Sequence, residues 1–546
     1  MNLLKAYLSG KTEFSSYEDF YQNCKINNPK TFNFVRDVVD FYAQKSPQKT
    51  ALVWCNDEGQ EARFDFAALS KESMLLAQSL NAYGIKKGDV VMLVLHRRYE
   101  YWFFVLALNR IGAVALPVPS QLHTNDFEYR IKASGAKMVV ASPYENTISG
   151  LEKAVAALAQ NKPKLVSVNF QREGWIDYKE VKAKQGEHAD LAFENISPLD
   201  PMIMYFTSGT TDKPKLVIHN GYYPLAHIIT AKYWQCVKQD GLHYSAVETG
   251  WAKSSWGNIY GQWICGSAVF VYDRQTFSPD SLLEKIQKYK VNTFCATTTV
   301  YRYLIQMDLK KYDLSSLEHC TSAGEVLRPD IIKAFYEKTG LKIYEGYGQT
   351  ETALLAANFY FQNQIEDNQV QTFDGSMGKF SPLYDLVLLD EDEKECVPEQ
   401  EGEISIRLNN TPLLGLMTAQ FNTSFYHTGD LAVKDKQGRI WFRGRKDNII
   451  KSSGFRISPV EVEKVLQKHP LVEECAVYGE EDEVRGQVVK AKVVLCKGTE
   501  PSHKLEQELI AFMRDQTALY KCPRKIEFVK NLPKTYNGKV IRNIYK

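Results

Sequence analysis

Short apolar runs alternate with helical patterns through roughly the first four hundred residues, and this alternation limits the possible folds more than any other feature. The strand-like runs include residues 90–95 (VVMLVL), 113–118 (AVALPV) and 138–141 (MVVA). Between the first two, residues 102–108 (WFFVLAL) have a helical pattern that ends near Gly112. Short, fully apolar strands separated by helices are typical of parallel sheets covered on both faces. The sequence therefore predicts an α/β fold class for this part of the chain.

The character of the chain changes after Arg445. Residues 446–454 (KDNIIKSSG) are polar, small and turn-forming. A helix then begins with Ser458 as N-cap, Pro459 at the first helical position and Glu461 three residues after the cap. This pattern predicts a capping box with an N-terminal proline.

The region that follows this helix alternates strands and helices on a smaller scale. Strand-like runs lie at residues 475–478, 488–495 and 525–529, and residues 505–517 have helical periodicity. A chain of 546 residues is too long for one ordinary core. We expect two domains, residues 1–445 and a small α+β domain over residues 446–546.

Composition and charge exclude several classes of protein. The net charge of +2 gives no overall electrostatic footprint for nucleic acid, and no apolar run approaches the length of a membrane span. The ten cysteines are scattered without a CxxC pair, so we expect free core thiols rather than a zinc site or a disulfide framework. The N-terminus lacks the apolar core and cleavage site of a secretory signal, and we expect a cytoplasmic protein.

A loop of hydroxyls and a glycine follows the apolar run that ends near residue 206. Residues 205–215 read YFTSGTTDKPK, so Thr207, Ser208, Gly209, Thr210 and Thr211 lead to Lys215. Small residues let backbone N–H groups and hydroxyls converge on phosphate oxygens, and a lysine adds a mobile positive charge. The loop does not have the Walker A pattern. Taken alone, it fits either a phosphate site or an ordinary turn.

This loop resembles the signature phosphate loop of the adenylate-forming superfamily, which includes acyl-CoA synthetases, peptide-synthetase adenylation domains and firefly luciferase. Other motifs of that family recur in the same order at residues 322–327 (SAGEVL), 344–352 (YEGYGQTET), 426–430 (YHTGD), 444–447 (GRKD), 453–456 (SGFR) and 533–539 (PKTYNGK). Within the family, the chain is most similar to the medium-chain acyl-CoA synthetases through residues 250–253 (GWAK), 301–302 (YR) and 484–491 (VRGQVVKA). The resemblance spans nearly the whole chain and implies a large multi-sheet α/β domain with a small, mobile α+β C-terminal domain.

The resemblance also implies an activity. The enzyme would form an acyl-adenylate from ATP and a carboxylic acid and then transfer the acyl group to coenzyme A, releasing AMP and pyrophosphate. The acid would be a medium-chain or branched fatty acid, with an aromatic acid as the alternative.

Site residues carry over position by position. The resemblance assigns nucleotide binding to Thr207, Ser208, Gly209, Thr210, Thr211, Gly324, Glu325, Val326, Glu345, Gly346, Tyr347, Gln349, Thr350, Asp430, Arg445 and Arg456. Lys539, Thr350 and Lys215 would serve catalysis, with Lys539 stabilising charge as the carboxylate attacks. Glu351 would hold Mg²⁺, which prefers oxygen ligands beside substrate phosphates. Asp430 would accept hydrogen bonds from both ribose hydroxyls, and its alternative is a turn cap.

The remaining assignments concern the acid, coenzyme A and domain motion. Trp251, Ala252, Lys253 and Gly348 would line the acyl pocket, Ser453 and Gly454 would meet coenzyme A, and Asp447 would be the hinge. Gly348 has no side chain, so we expect open volume for a longer acid, unless the backbone turn requires glycine there. Lys253 would meet a polar group of the substrate or pair with an acidic neighbour.

The chain departs from the family pattern at three positions. Asp212 stands where the phosphate loop usually has glycine, and Thr298 and Val326 each replace a usual proline. None of these changes removes a group that the chemistry needs. Two rival interpretations stay open: an adenylating enzyme that loads a carrier-protein thiol, and an inactive nucleotide-binding paralogue.

Overall fold

The computed structural model describes residues 3–184, 195–207, 214–361, 375–408, 424–452, 455–482, 486–534 and 540–541. Its strands are β1 (Leu8–Ser9), β2 (Lys25–Ile26), β3 (Thr50–Asn56), β4 (Glu61–Asp65), β5 (Val90–Val94), β6 (Val114–Pro117), β7 (Met138–Ala141), β8 (Lys164–Ser167), β9 (Ile176–Asp177), β10 (Pro201–Thr207), β11 (Lys215–Asn220), β12 (Leu242–Ser245), β13 (Ala268–Asp273), β14 (Thr293–Ala296), β15 (His319–Ala323), β16 (Ile343–Gly348), β17 (Leu354–Ala357), β18 (Lys379–Phe380), β19 (Leu386–Leu389), β20 (Glu401–Arg407), β21 (Phe425–Lys434), β22 (Ile440–Arg445), β23 (Ile450–Ser452), β24 (Phe455–Ile457), β25 (Val472–Asp482), β26 (Gly486–Leu495) and β27 (Lys525–Phe528).

The α-helices are α1 (Leu4–Tyr7), α2 (Tyr17–Asn23), α3 (Asp40–Lys45), α4 (Phe66–Ala82), α5 (Glu100–Ile111), α6 (Thr124–Ser134), α7 (Glu145–Ala156), α8 (Tyr178–Ala183), α9 (Tyr223–Ile229), α10 (Lys253–Gly257), α11 (Tyr260–Ile264), α12 (Pro279–Tyr289), α13 (Thr298–Leu304), α14 (Pro329–Thr339), α15 (Pro459–Leu466) and α16 (His503–Gln516). Short π-helical turns lie at Val35–Val39 and Thr230–Trp234, and 3₁₀ turns at Leu309–Lys311, Lys446–Asn448 and Leu519–Lys521. None of the helices in these described ranges is long and apolar enough to cross a membrane.

Two large sheets organise the first part of the chain. The seven-stranded sheet has the order β11-β10-β6-β5-β7-β8-β9, and the nine-stranded sheet has the order β18-β17-β16-β15-β14-β12-β13-β3-β4. Most neighbouring strands are parallel, and the antiparallel pairs stand at the edges, as in β10–β11 and β16–β17. β5, β6, β7, β13, β14 and β15 are buried along their whole length, as strands covered on both faces must be. The predicted α/β fold class is confirmed.

Local patterns account for these elements. The predicted strand over residues 138–141 matches β7, and α5 ends at Gly112 in a left-handed conformation with φ +68°. In the C-terminal part, Ser458 caps α15 by accepting a hydrogen bond from the Glu461 N–H, with Pro459 at the first helical position. In a full capping box the Glu461 carboxylate would accept a hydrogen bond from the Ser458 N–H. Here the carboxylate instead forms an ion pair with Lys521 Nζ at 2.8 Å.

The chain divides into two contact-dense units. Unit 1 comprises residues 1–385 and 408–424, and unit 2 comprises residues 386–407 and 425–546. Unit 2 contains the antiparallel sheet β19–β22 and a second sheet, β24-β23-β26-β25 with β27 beside β26, packed on α15 and α16. The small C-terminal α+β region is therefore present. The predicted domain boundary at residues 445/446 was placed at the hinge of a mobile C-terminal domain, and it stays a prediction.

Several histidines are buried inside unit 1, and burial shifts the pKa of three of them, His227, His243 and His319. His243 on β12 bonds through Nδ1 to Thr293 Oγ1 at 2.7 Å, and His319 on β15 donates from Nε2 to the Trp234 carbonyl at 2.8 Å. His227 lies on α9. Burial lowers the pKa of His227 and His243 to about 3 and that of His319 to about 4, from an ordinary value of 6.5.

These histidines predict a loss of stability in mild acid. Each folded-state pKa lies below the unfolded value, so the stabilisation is complete above pH 6.5 and declines as the pH falls below it. For each proton taken up on unfolding, the free energy of unfolding falls by about 1.4 kcal/mol for each pH unit of acidification. Three histidines together give a fall of about 4 kcal/mol per pH unit. We expect urea unfolding, followed by tryptophan fluorescence, to show this slope between pH 6 and 5.

The matched variant is His243→Asn, which keeps a polar group opposite Thr293 but removes the titrating ring. The slope of its unfolding free energy against pH should be shallower by the contribution of about one proton. An identical slope in the variant and the wild type would show that His243 does not contribute.

Candidate active site

The predicted phosphate loop falls in sequence between β10 and β11, which form a β-hairpin. β10 and β11 pair antiparallel, and the last register pair before the loop joins Thr207 to Lys215. The loop residues Ser208, Gly209, Thr210 and Thr211, together with Asp212, lie outside the described residues. β10 is anchored below the tip, where it pairs in parallel with β6. The two described ends therefore fix where the loop starts and stops.

The predicted adenine-binding turn follows the end of β15. Gly324 adopts φ +96°, a conformation that favours glycine. The Glu325 carboxylate accepts from the Thr299 N–H and the Thr299 hydroxyl, both at 2.9 Å, and thereby caps α13. The Glu325 side chain is thus committed to a helix N-terminus. The predicted contact of the backbone of Gly324, Glu325 and Val326 with the nucleotide base stays a prediction.

The Glu345 side chain ties this turn to the neighbouring strand. β15 and β16 pair in parallel, with Ala323 opposite Gly346. The buried Glu345 carboxylate accepts from the Leu327 N–H at 3.1 Å, and the Glu345 N–H donates to Asn358 Oδ1 at 2.8 Å. The predicted contact of Glu345 with adenine stays a prediction. Its observed contact is with the backbone beyond the turn.

The residues after β16 form a turn that carries Thr350 and Glu351. The hydrogen bonds that hold its backbone include three from side-chain groups: His219 Nε2 donates to the Thr350 carbonyl at 2.8 Å, Thr352 Oγ1 accepts from the Gln349 N–H at 3.1 Å, and the Tyr384 hydroxyl accepts from the Ala353 N–H at 3.0 Å. His219 lies on β11, so the bond to Thr350 joins the phosphate-loop hairpin to this turn. Neither His219 nor Tyr384 was predicted from the sequence, because no local pattern marks either one.

Two glycines on β16 each face an indole. A side chain at Gly346 would overlap Trp234, and a Cβ at Gly348 would lie 2.5 Å from the Trp256 ring and would overlap the Ala353 carbonyl. The expectation that Gly348 leaves open volume for the acid is therefore wrong, because Trp256 fills that space. Trp256 on α10 is 5% exposed and was also missed by the sequence reasoning.

The predicted acyl-pocket residues lie at the start of α10. Ala252 is buried, and Trp251 is half-buried. Lys253 Nζ donates to the Ala323 carbonyl at 2.6 Å, and within the described residues it contacts no carboxylate. Lys253 therefore ties α10 to the end of β15, beside the Gly324 turn. The alternative of a described acidic partner for Lys253 is not observed.

The ribose and hinge motifs come together within unit 2. Asp430 on β21 lies opposite Arg445 on β22, and Arg445 Nη1 contacts Asp430 Oδ1 at 3.3 Å and the Thr428 carbonyl at 2.8 Å. Arg445 Nη2 lies 3.6 Å from Asp447 Oδ2. Gly429, with φ +73°, lets the guanidinium approach the strand closely. Asp447 stands in the 3₁₀ turn Lys446–Asn448, inside unit 2 rather than at its boundary.

The other C-terminal assignments fall beyond what the structure describes. Ser453, Gly454 and Lys539 lie outside the described residues. Arg456 is on β24, and its side chain is likewise outside them. Their roles stay predictions, as do the roles of Tyr347 and Gln349 in binding the nucleotide.

Comparison with known proteins identifies the family. A family model described as "AMP-binding enzyme" matches residues 39–412, and one described as "AMP-binding enzyme C-terminal domain" matches residues 461–539. The chain belongs to the AMP-binding enzyme family. Among curated relatives, human acyl-coenzyme A synthetase ACSM3, mitochondrial, is 38% identical, with 97% of this chain and 92% of the relative covered. Human acyl-coenzyme A synthetase ACSM4, mitochondrial, is also 38% identical, with 96% and 91% covered.

Solved structures agree with this assignment. The acyl-CoA synthetase of Brucella canis is 29% identical, with a TM-score of 0.70 and 95% of both chains covered. The anthranilate CoA ligase AuaEII in complex with anthranoyl-AMP is 25% identical, with a TM-score of 0.82 and 95% and 97% covered. The prediction that this AMP-binding enzyme is an ATP-dependent acyl-CoA ligase working through an acyl-adenylate is confirmed. ATP and coenzyme A are its co-substrates.

Packing around Gly348 leads to a second prediction. Because a Cβ there would overlap the Ala353 carbonyl, Gly348→Ala should distort the turn that carries Thr350 and Glu351. We expect this variant to lose adenylation with short and long acids alike, by about 10- to 100-fold, the scale of a small misplacement of reacting groups. Pyrophosphate release with a series of acids measures this.

Gly150→Ala is the matched control. Gly150 lies in α7, and an added Cβ would meet Phe127 at an ordinary 3.4 Å. This variant should keep full activity and be as stable as the wild type or more so, since alanine favours helix. Retention of acetate or propionate activity by Gly348→Ala, with loss of longer acids only, would restore Gly348 as a determinant of chain length.

Proposed function

We propose that this acyl-CoA ligase activates a medium-chain or branched fatty acid, with an aromatic acid as the alternative, and that it does so on Mg²⁺-bound ATP. The single observation that carries the site assignment is the 2.8 Å bond from His219 to the Thr350 carbonyl. It brings the hairpin with the phosphate loop against the turn with Thr350 and Glu351. This contact between β11 and the turn supports a shared site for the phosphates and the metal ion.

The proposed acid class is supported by the chemistry around α10. The half-buried Trp251 gives apolar surface at the start of α10, beside the buried Ala252 and in the same segment as the buried Trp256. Each methylene buried on such surface contributes about 0.8 kcal/mol, so two or three extra carbons favour a medium-chain acid over acetate by roughly ten- to sixty-fold. The aromatic alternative is supported by the likeness to a ligase whose printed substrate is anthranilate.

Mg²⁺ is assigned to Glu351. Within the described ranges, no group of three or more His, Cys, Asp or Glu side chains is placed to hold a metal ion. Mg²⁺ commonly binds through one or two carboxylates together with substrate phosphates and water. A single carboxylate adjacent in sequence to the Thr350 hydroxyl, on a turn whose backbone is held by hydrogen bonds, fits that donor set. Bound Mg²⁺ would neutralise charge on the departing pyrophosphate.

The reaction proceeds in two steps, adenylation and thioester formation. A carboxylate oxygen of the acid bonds to the α-phosphorus of ATP, and the bond to the bridging oxygen breaks, releasing pyrophosphate. The coenzyme A sulfur then bonds to the acyl carbon, its proton passes to solvent or base, and AMP leaves with the electron pair. Lys539 serves the first step, and Ser453 and Gly454 meet the pantetheine arm after a rotation about Asp447. Lys215, Gly346, Tyr347, Gln349 and Arg456 complete the proposed contacts with the nucleotide.

For cellular location we propose the cytoplasm. All ten cysteines are free, which suits a reducing compartment. The names of the human relatives give mitochondria as the competing location. Imaging of the tagged full-length protein distinguishes the two.

An acid screen tests the proposed function. Purified enzyme, Mg²⁺ and ATP are combined with acids of two to twelve carbons and with benzoate and anthranilate, and pyrophosphate release is measured with and without coenzyme A. We expect the highest kcat/KM with medium-chain or branched acids and thioester only with coenzyme A. A preference for acetate would contradict the proposed acid class. A faster rate with a carrier-protein thiol than with coenzyme A would favour the rival ligase. If none of the acids supported pyrophosphate release, the inactive paralogue would be favoured.

Lys539→Ala tests whether Lys539 acts in adenylation and not in thioester formation. Because Lys539 is assigned to the charge that develops in the first step, its removal should slow adenylation by about 10²–10³-fold. Thioester formation from supplied acyl-AMP should be spared. Measuring the two half-reactions separately checks this, with Lys530→Ala as a control lysine nearby in sequence. An equal loss in both half-reactions would contradict the assignment.

A further inference from the structure

His219 joins two parts of the site that are far apart in sequence. It lies on β11, opposite Ile203 on β10, within the hairpin that ends in the phosphate loop. Its Nε2 is 2.8 Å from the carbonyl oxygen of Thr350, 131 residues away in the chain. The side chain is fully buried, at 0% exposed. Solvent therefore cannot replace this contact.

The chemistry of the bond fixes the state of the ring. A carbonyl oxygen can only accept, so Nε2 must carry the proton and donate it. The ring is also held in orientation, because it stacks on Tyr223 with centroids 3.9 Å apart and planes 17° apart. The bond to the Thr350 carbonyl is therefore made by a buried donor whose orientation is fixed by packing.

The other supports of this turn come from elsewhere. Thr352 belongs to the turn itself, and Tyr384 follows β18. The Trp256 indole packs beside Gly348, just before the turn, from α10. Of these described supports, only His219 belongs to the phosphate-loop hairpin. A shift of the hairpin is therefore transmitted to Thr350 through this bond.

We propose that His219 is a positioning residue for adenylation, which holds the turn bearing Thr350 and Glu351 in register with the phosphate loop. This role rests on the proposed function of that turn. Phosphate groups held by the loop and a metal ion held by Glu351 must meet at a fixed separation. A misplacement of about 1 Å can cost about 10²-fold in rate.

Two substitutions separate the hydrogen bond from the packing. His219→Phe keeps an aromatic ring against Tyr223 but has no donor, whereas His219→Gln keeps an N–H donor without the ring. We expect His219→Phe to lower kcat for adenylation by about 10- to 100-fold with little change in KM for the acid. His219→Gln should be faster than His219→Phe. Thioester formation from supplied acyl-AMP, which involves neither pyrophosphate nor metal, should change much less in both variants.

His227→Phe is the matched control. His227 is equally buried and meets the same Tyr223 ring edge-on, with centroids 4.5 Å apart, but its hydrogen-bond contact is Thr230 within its own helical segment. This variant should shift the melting temperature without changing the ratio of the two half-reactions. It reports what loss of a buried histidine does to the fold alone.

Hydrogen–deuterium exchange gives a readout that does not depend on activity. Without substrate, His219→Phe should speed exchange in a peptide covering residues 349–353, and His227→Phe should not. Unchanged exchange there, wild-type adenylation by His219→Phe, equal loss in both half-reactions, or His219→Gln no faster than His219→Phe would each overturn the proposal. Failure of the wild-type enzyme to adenylate any acid would instead refute the proposed function, while the exchange experiment would still report on the bond.

Discussion

The burial of parallel strands on both faces is the constraint from which the rest of the molecule follows. β5, β6 and β7 in one sheet and β13, β14 and β15 in the other have no exposed face. Strands of this kind have little room for unpaired polar side chains along their length. Polar chemistry is therefore displaced to the strand ends and the turns that follow them, where open α/β sheets usually bind ligands. The turns after β15 and β16 stand at such ends.

Much of the fold was predictable from the sequence because its causes are local. Apolar runs gave the strands, Gly112 ended α5 in a left-handed conformation, and Ser458 and Pro459 started α15. The ordered motifs likewise indicated the family to which the chain belongs. In each case the signal lies within a few residues of the structure that it predicts.

The rest depended on contacts between residues far apart in the chain. Nothing near Gly348 indicates that Trp256, 92 positions earlier, fills its space, and nothing near Lys253 indicates a bond to Ala323. Nothing near Glu325 indicates that its carboxylate caps the helix that begins after Thr297. Residues 386–407 joined unit 2 because β19 pairs with β20 and β20 pairs with β21, pairings that local periodicity does not reveal.

The two glycines of β16 have a consequence for how the substrate range of such an enzyme can change. Gly346 and Gly348 are each matched to an indole, Trp234 and Trp256, so the strand and the helical segments fit as paired surfaces. A larger residue at either glycine is compatible with the fold only if the facing tryptophan is reduced at the same time. At Gly348 the Ala353 carbonyl must move as well. Redesign of this strand therefore requires double substitutions, and libraries that vary one position at a time will contain few folded variants at these glycines.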